Sequence, residues 1–115
     1  MISLSERELI ERLAWQERLV HRDKKTSPVI VFLYTPLCGT CGAARKMLDV
    51  TEQLLPEGTL LEADVNFLPV VVQQYQIRSV PALLAISGTP DKPPQVLYRM
   101  GSVQDILNFV RGVML

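Results

Sequence analysis

Apolar residues along the chain occur in two patterns, namely short continuous runs typical of strands and residues at helical spacing. Four stretches are rich in apolar and β-branched residues, namely PVIVFLY at 28–34, TLLEADV at 59–65, VPALLAI at 80–86 and QVLYRM at 95–100. Each stretch is typical of a strand, and the first is apolar throughout, which is typical of a strand buried on both faces. The four stretches therefore predict the strands of one sheet, with the first of them at its centre.

A helix is predicted near the start of the chain. Ser5 followed by Glu8 is the pattern of a capping box, and the helical spacing continues to about Arg22. Trp15 on this helix is interpreted as a packing residue. The apolar stripe consists of Leu9, Ile10, Leu13 and Val20.

Three more helices are predicted further along. The first follows the two cysteines and ends before Pro56, and the second is short and runs from Pro69, a good first-turn residue, to Tyr75. The last begins after a second capping box, formed by Ser102 and Asp105.

The order α-β-α-β-α-β-β-α predicts an α/β fold. Strand–helix–strand units connect parallel strands by right-handed crossovers, whereas the last two strands form an antiparallel pair. We expect one domain over residues 1–115, with a mixed four-stranded sheet and helices on both faces. Residues 2–4 leave room for a short additional edge strand, which would make the sheet five-stranded.

Charge and composition exclude several classes of function. The chain has 12 Lys and Arg residues against 12 Asp and Glu residues, so no strong field would attract nucleic acid or a membrane surface. Its apolar runs are shorter than the 18 or so residues of a membrane span, and its first residues lack the pattern of a secretion signal. We therefore expect a cytoplasmic protein with no nucleic-acid or membrane partner.

The candidate chemistry lies in the only two cysteines, Cys38 and Cys41, which sit between the central strand and the next helix. In such sheets, sites form where strands end and helices begin. There the pKa of a thiol falls from about 8.5 to roughly 3.5–7.5. We assign Cys38 as the nucleophile and Cys41, one turn deeper, as the resolving thiol. Gly39 and Thr40 between them are small enough to let a polypeptide approach.

Two other roles for this pair are weaker. A structural disulfide across about four residues would contribute only about 1.9 kcal/mol in the loop-entropy model. A zinc site would need further ligands from the lone His21 or from a second chain. A redox-active dithiol is favoured, because C-x-x-C after a strand and before a helix is a specific signal. We expect no metal and no cofactor.

At this point the chain resembles the thioredoxin family. VIVFLYTPLCGTC is similar to the family's central strand and redox turn, and QQYQIRSVPALLAI is similar to its Ile-Arg-x-Val-Pro segment. Gly101 stands where the family has a glycine before the last helix. The resemblance covers about residues 29–112, and the Leu-Cys-Gly-Thr-Cys form looks like the small thioredoxin-like proteins of Gram-positive bacteria.

The resemblance implies a function and a substrate site. Pro81 would take the place of the family's cis-proline and bring the backbone of Val80 beside Cys38, where an extended substrate could pair with it. Leu37 and Gly101 would complete the substrate surface. The implied activity is thiol–disulfide exchange on disulfide-containing protein substrates, with a thioredoxin-reductase-type electron donor.

Three positions depart from the family's pattern. Leu37 replaces the usual tryptophan, Phe32 replaces a buried aspartate, and Glu62 replaces the lysine often paired with that aspartate. Because Phe32 cannot accept a proton from Cys41, we expect water to do so, with Asp64 or Glu62 as alternatives. These departures also keep open a second function, a redox-sensing or non-catalytic binding module with the same fold.

Overall fold

The structure, a computed structural model, describes residues 1–21, 26–89 and 92–114. One five-stranded sheet has the order β1-β3-β2-β4-β5. Its strands are β1 (Ile2–Ser3), β2 (Val29–Tyr34), β3 (Leu60–Asp64), β4 (Ala82–Ile86) and β5 (Gln95–Leu97). The helices are α1 (Glu6–His21), α2 (Cys41–Gln53), α3 (Pro69–Gln74) and α4 (Val103–Met114), with a 3₁₀ turn at Val65–Phe67. Within the described ranges, no helix is both long and apolar enough to cross a bilayer.

The predicted α/β class and mixed sheet are confirmed. β1, β3 and β2 are parallel, while β4 runs antiparallel to β2 and β5 antiparallel to β4. The short edge strand exists, so the sheet has five strands rather than four. β5 ends at Leu97 instead of continuing to Met100. The predicted end of the first helix, Arg22, lies outside the described residues.

The central strand β2 supports two separate core layers. Successive strand side chains point to opposite faces, so Ile30 and Phe32 pack on the side of α2 and α4, and Val31 and Leu33 pack on the other side, with Leu9 of α1. All four of these β2 side chains are fully buried. Burial on both faces accounts for the unbroken apolar run in the sequence.

The first helix begins at the predicted capping box, but two of its large apolar side chains do not face the core. Ser5 N–H donates to Glu8 Oε1 at 3.0 Å and Glu8 N–H donates to Ser5 Oγ at 3.2 Å, which completes the capping box. The packing interpretation of Trp15 is wrong, because its side chain is 62% exposed, and Ile10 is 39% exposed. At about 100° per residue, Trp15 lies about 240° around the helix from the buried Leu9.

One edge of the sheet collects the segments from which the site is built. β2 and β3 end at this edge, and the pairing of Leu33 with Ala82 places the start of β4 there as well. Leu83 pairs with Leu97, so β5 also ends at this edge. Four segments consequently lie side by side: the turn that carries Cys38 and Cys41, the 3₁₀ turn, the segment before β4 and the segment before α4.

Gly88 provides a test of the packing at the opposite edge. A Cβ at Gly88 would lie 1.6 Å from the backbone oxygen of Thr26. Because backbone would have to move, we expect Gly88→Ala to cost about 1–3 kcal/mol, the range for overpacked sites. Urea unfolding should show a clearly lower midpoint. Gly112→Ala in α4, where nothing lies within 4 Å of the new methyl group, is the control and should not destabilise. Equal midpoints for the two variants would contradict this packing.

Candidate active site

Cys38 and Cys41 are joined by a disulfide, with 5.4 Å between their Cα atoms. The helix begins at Cys41, so Cys38 lies three residues before the helix rather than at its start, the position from which a lowered pKa was predicted. The reason is local: Cys41 N–H donates to the carbonyl of Cys38 at 3.3 Å, and the helical pattern starts only with Ala44 N–H donating to Thr40. Both sulfurs nevertheless lie at the amino end of α2, where the helix dipole is positive.

The two cysteines differ in their access to solvent. Cys41 is 5% exposed and belongs to the core layer formed with Phe32 and Leu48. Cys38 is partly exposed and follows Leu37, whose side chain is 93% exposed. A large partner can therefore reach the first sulfur but not the second.

Thr40 occupies the N-cap position of α2 but does not cap it with its side chain. Its hydroxyl oxygen instead lies 3.6 Å from Cys38 Sγ. Gly39 beside it is exposed, and nothing lies within 4 Å of the position that a Cβ would take. The turn thus leaves open space at Gly39 and places the Thr40 hydroxyl beside the accessible sulfur.

The segment before β4 contacts the disulfide from the side. The Val80–Pro81 peptide bond is cis, as the family resemblance implied. The carbonyl oxygen of Val80 lies 3.7 Å from Cys38 Sγ. The structure therefore brings Cys38, Val80 and Pro81 together, although 42 residues separate Cys38 from Val80 along the chain.

Gly101 lies at the same edge of the sheet, between the end of β5 and the start of α4. It is exposed, and a Cβ at this position would lie 3.2 Å from the Asp105 carboxylate. Ser102 Oγ accepts the N–H of Asp105 at 3.0 Å and so caps α4. The side chain that lies against Gly101 therefore belongs to the start of α4 and not to the disulfide.

An ion pair that the sequence did not predict lies behind the turn that carries Cys38 and Cys41. Arg45 of α2 forms a salt bridge with Glu62 of β3, and its guanidinium lies 4.7 Å from the Tyr34 ring centroid and 5.4 Å from that of Phe32. Partial burial alone would lower the pKa of Arg45, but the hydrogen bond and charge of Glu62 outweigh it, and the pKa is raised. The available signal was the i, i+4 spacing of Cys41 and Arg45, which places them on one helix face.

The two alternative proton acceptors already have partners. Glu62 accepts from Arg45 and also from Ser3 Oγ at 3.2 Å. Asp64 accepts the Asn66 N–H at 2.9 Å, and Asn66 Nδ2 donates to Thr35 Oγ1 at 2.8 Å. This second chain of hydrogen bonds ties the 3₁₀ turn to the loop that carries the cysteines.

A metal centre was one of the two weaker alternatives for this site. Among the side chains that the structure describes, no three His, Cys, Asp or Glu residues are grouped so that they could hold a metal ion. The side chain of His21, the possible third ligand, lies outside the described residues.

Comparison with known proteins finds a matching family and related sequences. The thioredoxin family model matches residues 8–107. The thioredoxin-like protein YusE of Bacillus subtilis is 44% identical over 59 residues, which are 51% of this chain and 56% of YusE. The thioredoxin-like protein slr0233 of Synechocystis is 29% identical over 85 residues, which are 73% of this chain and 76% of that protein. The match therefore spans only about half the length of the first of these relatives.

Solved structures share the fold across the whole chain. The germline-specific thioredoxin Deadhead of Drosophila melanogaster superposes with a TM-score of 0.71 at 11% identity and covers 99% of both chains. At this low identity the similarity concerns the fold alone.

The position of Thr40 predicts an effect on the redox potential. Thr40→Val keeps the shape but removes the hydroxyl near Cys38 Sγ, so the thiolate of the reduced protein loses stabilisation. We expect the potential to become about 20 mV more negative, which equals about 1 kcal/mol at 30 mV per 1.4 kcal/mol. Equilibration with glutathione measures it. Thr40→Ser should keep the wild-type potential. If Thr40→Val also kept it, the Thr40 hydroxyl would not influence the redox potential.

The ion pair predicts an energetic coupling between α2 and β3. In a double-mutant cycle of Arg45→Met and Glu62→Gln, urea unfolding should give an interaction free energy of roughly 0.5–3 kcal/mol, as for residues in contact. The same cycle with Lys46→Met, on the exposed neighbour of Arg45, should give almost none. Equal coupling for the two cations would show that Glu62 responds to general charge and not to a specific partner.

Proposed function

The chain belongs to the thioredoxin family, and we propose that it is a thiol–disulfide oxidoreductase that reduces or exchanges disulfides in protein substrates. The observation that carries this proposal is the unequal exposure of the two sulfurs. Cys38 is partly exposed beside the Val80 backbone, and Cys41 is buried directly behind it. This is the arrangement that a two-step exchange needs, since the first sulfur must meet the partner and the second must not.

The first step is the attack of the Cys38 thiolate on one sulfur of a substrate disulfide. A bond forms between Cys38 Sγ and that sulfur, the substrate disulfide breaks, and the other substrate sulfur leaves as a thiolate that takes up a proton. The amino end of α2 and the Thr40 hydroxyl support the anionic form of Cys38.

In the second step Cys41 loses its proton and attacks Cys38 Sγ. The Cys38–Cys41 disulfide forms, the mixed disulfide breaks, and the second substrate sulfur leaves as a thiolate. Two electrons have then passed from the protein to the substrate. Phe32 offers no proton acceptor, and Glu62 is engaged by Arg45, so we propose that water accepts the Cys41 proton.

The substrate would bind as an extended segment against the backbone of Val80, which stands next to the cis-proline Pro81 and beside Cys38. Leu37, almost fully exposed, offers an apolar contact next to the reacting sulfur. Gly101 at the same edge would leave the substrate's path free of a side chain.

Turnover requires that the disulfide be reduced again. We propose a thioredoxin-reductase-type electron donor and a cytoplasmic location, where thiols are kept reduced and a C-x-x-C pair is more useful in exchange than as a permanent crosslink. No cofactor of this chain is needed, because the two sulfurs carry the electrons themselves.

Insulin reduction by dithiothreitol tests the activity. The wild-type protein should accelerate precipitation of the insulin B chain, and Cys38→Ser should abolish the acceleration because the attacking sulfur is lost. Cys41→Ser, reduced, freed of dithiothreitol and then mixed with insulin, should instead accumulate a mixed disulfide visible by mass spectrometry, because the second step is blocked and no other thiol is present to complete it. If the wild-type protein gave no acceleration, the binding module with a non-catalytic dithiol would be the better account.

A further inference from the structure

Tyr98 lies at the edge of the sheet that carries the disulfide, but neither the sequence motifs nor the exchange chemistry gives it a role. It is the first residue after β5. Its phenolic oxygen accepts the backbone N–H of Arg78 at 3.1 Å. The guanidinium carbon of Arg78 lies 5.0 Å from the centroid of the Tyr98 ring. The Tyr98 side chain thus contacts both the backbone N–H and the guanidinium of Arg78.

The residue that Tyr98 holds is part of the segment that presents Val80. Before Arg78, Ile77 N–H donates to the carbonyl of Val72 at 3.0 Å and ties the segment to α3. After it, the chain reaches Ala82, which pairs with Leu33 in the sheet. Only residues 78–81 lie between these fixed points, and they include the Val80 carbonyl that contacts Cys38 Sγ. The position of Val80 therefore depends on where Arg78 is held.

The sheet itself does not fix Arg78. The pairing of β4 with β5 runs from Ala85 and Gln95 to Leu83 and Leu97, and β4 begins only at Ala82. The Arg78 N–H thus lies beyond the end of the strand ladder. A long side chain that follows β5 can reach this donor, and the tyrosine hydroxyl does so.

We propose that Tyr98 is a positioning residue for the exchange reaction. Its hydroxyl holds the segment 78–81 so that the Val80 backbone is already aligned for pairing with an extended substrate beside Cys38. This role rests on the proposed function, because it matters only if a polypeptide binds at Val80. Tyr98 acts through Arg78 and does not itself touch the reacting sulfurs.

The proposal distinguishes two kinds of substrate. A protein disulfide uses the Val80 backbone for binding, so a displaced segment weakens its binding. A small aromatic disulfide such as dithiobis-nitrobenzoate has no peptide backbone to pair and needs only access to Cys38. Loss of the Tyr98 hydroxyl should therefore raise KM for the protein substrate and leave the reaction with the small disulfide unchanged.

Tyr98→Phe is the test, because it keeps the ring under the guanidinium and removes only the acceptor. We expect KM for insulin to rise about fivefold, the effect of one net hydrogen bond, with little change in kcat and none in the rate with the small disulfide. Hydrogen exchange of the Arg78 amide should accelerate. Tyr75→Phe, a half-buried tyrosine at the end of α3, is the matched control and should change none of these quantities.

Two results would overturn the role of Tyr98. One is an unchanged KM for insulin in Tyr98→Phe, and the other is an equal loss with both substrates, which would mean that the hydroxyl supports only the fold. A wild-type protein that reduced neither substrate would refute the proposed function itself, and the positioning role with it. In the first two cases the wild-type protein still reduces its substrates, so failure of the positioning role can be told apart from failure of the proposed function.

Discussion

The pairing of Leu33 with Ala82 is the contact on which the geometry of the site depends. It fixes the end of the central strand next to the start of an antiparallel neighbour. Cys38 follows β2 by a few residues, and Val80 lies two residues before β4. Because both strands are buried and hydrogen-bonded, the sulfur and the carbonyl meet at one edge at a distance of 3.7 Å. A shift of one residue in this register would turn every side chain of β4 to the opposite face and displace Val80 from the sulfur.

The difference in exposure between the two sulfurs follows from this framework. The turn before α2 leaves Cys38 accessible and the start of the helix carries Cys41 into the core layer, where it is 5% exposed. The amino end of α2 is next to both, and the Thr40 hydroxyl is directed at the first. Geometry thus gives the two sulfurs of one short motif different access to solvent, which is what the proposed roles of Cys38 in attack and Cys41 in resolution require.

Much of this architecture was predictable, because the relevant signals are local. The apolar run of β2 indicates burial on both faces, and the position of a C-x-x-C pair between strand and helix follows from spacing. Contacts that need the three-dimensional register were missed. Arg45 meets Glu62 only because β3 is paired in register beside Phe32. Tyr98 was taken for a strand residue, since its hydroxyl bond to Arg78 leaves no trace in the pattern. Trp15 was taken for a packing residue because large apolar side chains are highly buried on average.

The central claim is that Cys38, and not Cys41, is the sulfur that meets a partner. The most direct test is to treat the fully reduced protein at neutral pH with less than one equivalent of iodoacetamide and to locate the label by peptide mass spectrometry. Cys38 should carry nearly all of it, because it is accessible and at the amino end of a helix. Equal labelling of the two cysteines, or a preference for Cys41, would contradict the account.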